Sequence, residues 1–184
     1  MHSHHTLSRT LSRRTTLRGL AALAALPLLP ACTPKPQAAP QTGAPTVVAL
    51  NKPVAFWRDK LSAEAYAVLF NEDTEPPFST PLDKEKRAGK FVCAACHLPL
   101  FESTAKFDSG TGWPSFTQPI SGHMASKRDF KLILPRTEYH CARCGGHQGH
   151  VFDDGPPPLG QRWCNNGLAL RFVPQEEALP ELRG

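Results

Sequence analysis

The chain has 184 residues, with 21 basic and 16 acidic side chains and a formal net charge of +5. That length suits one domain plus a non-domain extension and is too short for two good cores. The charge is unevenly placed: residues 1–31 hold four arginines (Arg9, Arg13, Arg14, Arg18) and no acids, leaving 17 basic and 16 acidic groups with no sustained basic stripe, which argues against nucleic-acid binding.

The first 31 residues read as an export signal. Ser12-Arg13-Arg14-Thr15-Thr16-Leu17-Arg18 precedes an apolar run from Leu20 to Leu29, which is too short and too Pro-interrupted to remain as a spanning helix. The paired arginines resemble a twin-arginine signal, with Thr16 where that signal usually has Phe. Leu29-Pro30-Ala31-Cys32 resembles a lipoprotein cleavage site, which would lipidate Cys32 and anchor the mature protein to a membrane facing the periplasm. An ordinary cleaved leader with an incidental cysteine is the alternative. Residues 32–53 are Pro-, Ala-, Gln- and Thr-rich and read as a flexible linker. The domain is expected over 54–176, with 177–184 as a C-terminal tail.

Within the domain, Phe56 to Phe70 reads as a helix, with Ser62 able to cap and Glu64 suited to the positive end of its dipole. Short strands follow at Lys90-Phe91-Val92, Leu100-Phe101-Glu102, Phe130 to Leu134, Glu138-Tyr139-His140, Val151-Phe152 and Leu168 to Phe172. With 19 Pro and 13 Gly in the chain to turn it, these predict a mainly β fold of antiparallel sheets in a partly closed sandwich or barrel, behind a short N-terminal helical region. So small a core would benefit from a staple.

Cys93-Ala94-Ala95-Cys96 and Cys141-Ala142-Arg143-Cys144 supply one. Each pair follows a strand, as the knuckles of a zinc ribbon do, and sets two sulfurs at the spacing a tetrahedral ion requires. The second pair favours structural Zn²⁺. Disulfides, suited to an oxidising compartment, and a redox motif are the alternatives. A twin-arginine route, which carries proteins already folded, would let zinc load in the reducing cytoplasm first.

Cys164 stands apart from the knuckles. Arg162, two residues away on an extended strand, would share its face and lower its pKa toward the reactive thiolate. His147 and His150, not needed by a four-thiolate metal site, read as proton carriers. In Asp108 to Phe116, glycines beside Trp113 allow tight backbone conformations that can present the indole to a ligand, a core tryptophan being the alternative.

Four segments together resemble the type-B peptide methionine sulfoxide reductases, which act on the R epimer. They are Asn71 to Phe78, Lys106 to Phe116, His147-Gln148-Gly149-His150-Val151-Phe152 and Arg162-Trp163-Cys164-Asn165-Asn166. The resemblance runs from about Trp57 to Val173 and implies two antiparallel β-sheets and a four-cysteine zinc held by Cys93, Cys96, Cys141 and Cys144. It further implies that Cys164 attacks the sulfoxide sulfur, leaving a sulfenic acid. His147 and His150 would deliver protons, and Trp113 would pack on the methyl group. Arg162 and Asp154 would tune Cys164 and hold the histidines. Many members carry a resolving cysteine just before the tryptophan, where this chain has Thr111. An external, thioredoxin-like thiol is therefore the expected reductant, the substrates being exported proteins containing methionine-R-sulfoxide and the enzyme a monomer. A zinc-ribbon interaction module would leave Cys164 and the histidines unexplained. A thiol–disulfide oxidoreductase would need a partner for Cys164 that the sequence lacks.

Overall fold

The computed structural model describes residues 47–132 and 134–184. The export signal, Cys32 and the linker through residue 46 lie outside them. The helical region divides in two: a 3₁₀ helix at Val54–Lys60, then an α-helix, α1, at Ala63–Asn71. Ser62 causes the division. Its hydroxyl accepts from the Ala65 amide at 3.1 Å, which requires extended backbone at Leu61 and Ser62 and interrupts the single helix expected from Phe56 to Phe70. Glu72 ends α1 in the left-handed conformation, its amide returning to the Ala67 carbonyl.

The remainder is β structure in two antiparallel sheets. The smaller has the order β2-β1-β9, from β1 at Gly89–Cys93, β2 at Pro99–Glu102 and β9 at Leu170–Pro174. The larger runs β3-β4-β8-β7-β6-β5. Its strands are β3 at Lys106–Phe107, β4 at Ser115–Phe116, β5 at Met124–Asp129, β6 at Arg136–Cys141, β7 at His147–Phe152 and β8 at Arg162–Asn165. Phe91 of β1 and Phe116 of β4 meet edge to face at 5.0 Å, and Phe101 of β2 stacks on Phe116 at 4.0 Å. This fully buried cluster joins the two sheets, each ring contributing about 1.5–3 kcal/mol of burial.

Two expected strands move. Of the strand expected over Phe130 to Leu134, the described residues 130–132 and 134 are not in a strand; the strand lies just before them, as β5. The Asp129 carboxylate accepts from the Lys131 amide at 2.8 Å, a local turn that ends the ladder and turns the apolar run outward. Leu168 to Phe172 begins late, because Gly167–Ala169 forms a 3₁₀ turn. The buried Glu75 carboxylate accepts from the Gly167 and Leu168 amides at 2.6 and 2.8 Å, so neither amide is free for a β ladder.

The chain on either side of the expected 54–176 domain is also bonded to it. The Leu50 amide donates to the Arg143 carbonyl at 2.6 Å. At the other end, the Arg183 amide donates to the Cys96 carbonyl at 3.0 Å, and Arg143 Nη1 donates to the Arg183 carbonyl at 2.6 Å.

Candidate active site

The two C-x-x-C turns have the same local geometry. In each, the first cysteine's amide donates to the carbonyl five residues on: Cys93 N–H to Leu98 at 2.8 Å and Cys141 N–H to Gly146 at 3.0 Å. The residue after the second cysteine is left-handed in both, His97 at φ 64° and Gly145 at φ 74°. One turn ends β1 of the smaller sheet and the other ends β6 of the larger, so the knuckles face each other across the domain. Their four sulfurs lie within 4.8 Å of one another, with Cys93 to Cys144 at 3.6 Å and Cys96 to Cys141 at 3.5 Å. A tetrahedral ion with metal–sulfur bonds of about 2.3 Å needs sulfurs about 3.8 Å apart. The donor set fits such an ion, and the spacings are far beyond the roughly 2.05 Å of a disulfide.

A second site sits on the larger sheet. Cys164 of β8 is flanked in register by Ser115 of β4 and His150 of β7, so all three side chains emerge on one face. Above them lies a cavity of about 120 Å³, walled by Trp113, Arg136, Phe152 and Thr74 and floored by Cys164 and His150. It is well below the roughly 300–1,000 Å³ of a cofactor-sized cleft and takes a side-chain tip. Trp113 is held as a wall by its indole N–H, which donates to the Glu75 carbonyl at 3.1 Å. Thr111, the residue at the resolving position, is near enough to Cys164 to lower its pKa and links through Ser109 to Ser115.

Arg162 also reaches the Cys164 sulfur, as expected, but the net effect on the thiol is opposite to expectation. Burial raises the Cys164 pKa by more than the Arg162 charge and hydrogen bond lower it. Asp154 is clasped by Arg162 through two hydrogen bonds, at 2.8 and 3.0 Å, while itself 64% exposed. Among the described residues Arg162 is its only hydrogen-bond and ion-pair partner, and neither histidine is bonded to it.

Other acids hold the histidines. His150 Nε2 bonds Asp129 Oδ2 at 2.7 Å, and Arg136 Nη2 donates to the same oxygen at 2.6 Å. His147 is buried behind His150, their rings 5.4 Å apart, and its Nδ1 bonds Glu138 Oε1 at 2.7 Å. Thus His150 enters the cavity and His147 does not line it. The Lys131 amide, against the cost of burial and with His150 and Arg136, holds Asp129 well below the usual carboxylate range. Burial would raise Glu138, but the bonds from His140 and His147 outweigh it and hold it at about 2. Both carboxylates are therefore acceptors. Burial lowers the His150 pKa by more than Asp129 raises it, so the ring is neutral near pH 7, with its proton on Nε2 and a free lone pair on Nδ1.

Comparison with known proteins agrees with this site. The SelR domain family matches residues 61–174, from the helix cap region through β9. The chain belongs to the SelR-domain family of MsrB peptide methionine sulfoxide reductases. A peptide methionine sulfoxide reductase MsrB from Bradyrhizobium diazoefficiens is 53% identical over 120 residues, 65% of this chain and 86% of that protein. One from Agrobacterium fabrum is 48% identical over 126 residues, covering 68% and 93%. The archaeal MsrB of Methanosarcina barkeri is 46% identical over 130 residues, covering 70% and 92%. As an MsrB-family oxidoreductase, the chain gives every motif that carried the resemblance a place in or beside the pocket or the knuckles. Asp129, Glu138 and Arg136 escaped sequence reasoning. Glu138 left a trace, an acid inside a strand whose neighbour Tyr139 is apolar-facing; Asp129, at a strand end among charged residues, left none.

One buried polar chain connects the two sites. Tyr139 Oη donates to Asn165 Oδ1 at 2.8 Å, and Asn165 Nδ2 to Gln148 Oε1 at 3.2 Å. Gln148 Nε2 then donates to Cys93 Sγ at 3.7 Å. The residue after Cys164 is thereby tied to a knuckle sulfur.

Proposed function

We propose that this MsrB-family reductase acts on the R epimer of methionine sulfoxide in polypeptides, with Cys164 as nucleophile and His150 as its proton partner. The observation that carries this reading is the Cys164–His150 cross-strand pair on the floor of a tip-sized cavity walled by Trp113. The sulfoxide side chain enters with its methyl against the indole and its sulfur over Cys164. Nδ1 of His150 takes the thiol proton and passes it to the sulfoxide oxygen, which cannot depart unprotonated. The oxygen transfers to the cysteine sulfur: the sulfoxide is reduced by two electrons to a thioether, and Cys164 is oxidised by two electrons to a sulfenic acid. His147, buried on Glu138, braces His150 from behind. Arg162, kept in line by Asp154, offsets part of the cost of the Cys164 anion.

Recycling requires two equivalents of external thiol, which return the sulfenic acid to thiol with release of water and a disulfide. Support for an external donor, thioredoxin-like in kind, is that Thr111 occupies the resolving position and the other described cysteines cluster in the knuckles. Those four cysteines would hold a structural Zn²⁺, which supplies folding energy across the two sheets. The paired arginines of the leader and the Leu29-Pro30-Ala31-Cys32 segment support export and lipid anchoring in the periplasm, where the substrates would be oxidised exported proteins.

Replacing the nucleophile tests the reading. Cys164→Ser is expected to abolish reduction of a blocked methionine-R-sulfoxide while bound metal and melting temperature stay at wild-type values. Turnover retained by that variant would overturn the assignment.

A further inference from the structure

The connection between β5 and β6 carries apolar side chains that stand exposed among the described residues. Phe130 is 72% exposed, Leu132 57% and Leu134 77%. Apolar residues clustered on a surface in this way mark a place of contact. The connection is rooted in the active site. Asp129 and Arg136 pair in the last register of the β5–β6 ladder; the first holds His150 and the second walls the cavity. Lys131, between the apolar residues, is drawn away to the end of α1, where Nζ pairs with Glu72 at 2.7 Å.

A fourth apolar side chain stands on the Trp113 wall. Phe78 is 63% exposed and adopts φ 62°, a left-handed conformation that costs a non-glycine residue about 1–3 kcal/mol. Its amide donates to the Gly112 carbonyl at 2.7 Å, which fixes it next to Trp113. One edge of the ring packs over Gly112, and the rest stands exposed beside the pocket.

From these features we infer that Phe130, Leu132, Leu134 and Phe78 form a docking rim for the apolar residues flanking the oxidised methionine of an extended polypeptide. The inference rests on the proposed activity of the Cys164 pocket. A cavity of about 120 Å³ admits only the tip of the sulfoxide side chain, so the rest of the polypeptide crosses the mouth, onto the segments that lead away from its walls at Arg136 and Trp113. Methionine is mainly a buried, apolar residue, so the segments that carry its oxidised form bring apolar neighbours. The rim confers a preference for such segments over methionine sulfoxide between polar residues.

Single-turnover reduction by pre-reduced enzyme tests this without any reductant present. Three substrates are compared: N-acetyl-methionine-R-sulfoxide amide, a peptide with Leu and Phe flanking the sulfoxide, and its counterpart with Ser and Gln. Wild type is expected to half-saturate at about tenfold lower concentration of the apolar peptide, the order that burying one apolar side chain brings, with equal maximal rates. Phe130→Ser/Leu132→Ser/Leu134→Ser should erase that preference and reduce the minimal substrate as wild type does. Leu132→Lys, a milder change, should shift the preference toward peptides flanked by Asp. Persistence of the apolar preference in the triple variant overturns the rim. So does wild type that reduces the minimal substrate and shows no flank preference, a result that leaves the Cys164 assignment standing. Variants slowed only in re-reduction by a thioredoxin-like protein would assign the face to the reductant and also overturn the proposal.

Discussion

Two opposing influences act on Cys164: burial, which favours the neutral thiol, and Arg162, which favours the anion. Burial wins, so the resting enzyme holds a thiol that is protected from indiscriminate oxidation and needs a base at the moment of reaction. His150 can serve because burial lowers its pKa below 6.5. The base is lost as pH falls through that lowered value, so kcat/KM should decline on the acid side below pH 6.5. Asp129 raises the His150 pKa and fixes its proton on Nε2. Asp129→Asn should therefore move the acid limb to still lower pH and reduce kcat by about tenfold or more, as loss of a positioned proton carrier does. A pH–rate profile of the variant checks both effects; an unmoved acid limb would mean that His150 is not the titrating group.

At the scale of elements, the β7–β8 ladder sets the distance between nucleophile and base. Gly149 permits the close approach: a Cβ there would lie 1.9 Å from the Cys164 carbonyl oxygen and 2.9 Å from its carbon. Backbone cannot yield as a flexible side chain can. Gly149→Ala should destabilise the domain by about 1–3 kcal/mol and push Cys164 away from His150. Thermal unfolding and kcat/KM measured together check this; a lowered melting temperature with unchanged kcat/KM would show that the ladder does not set the catalytic spacing. The groups on this ladder were legible in the sequence, because histidines, cysteine and arginine announce their chemistry by type and lie close along the chain. Their partners were not. Asp129 is 21 residues from His150 and resembles any surface acid, and only the pairing of β5 with β6, and of β6 with β7, brings it to the site. The 130–134 segment misled for a related reason: its short apolar run imitates a strand, and the turn that ends β5 depends on one side chain, Asp129, bonding one amide. Burial of Cys164, the sum of many contacts, left no local trace, so Arg162 alone governed the expectation.

Across the whole molecule, the two sheets meet through an aromatic cluster and through the knuckles. The C-x-x-C spacing made the knuckles the most legible feature of the chain, since both halves of the site repeat one local geometry. Removing the metal with a chelator under reducing conditions should lower the melting temperature by about 10 °C or more, because four thiols crowded within 4.8 Å would lose the ion that reconciles them. Calorimetry with and without restored Zn²⁺ checks this, and an unchanged melting temperature would rule out a bracing role.

Gln148 gives that brace a further meaning. Its side chain donates to Cys93 at one end and accepts from Asn165, next to Cys164, at the other. A knuckle sulfur that is oxidised and leaves its place removes the anchor of that amide and loosens the strand on which turnover depends. One side chain would thus carry the loss of a knuckle sulfur to the residue beside Cys164.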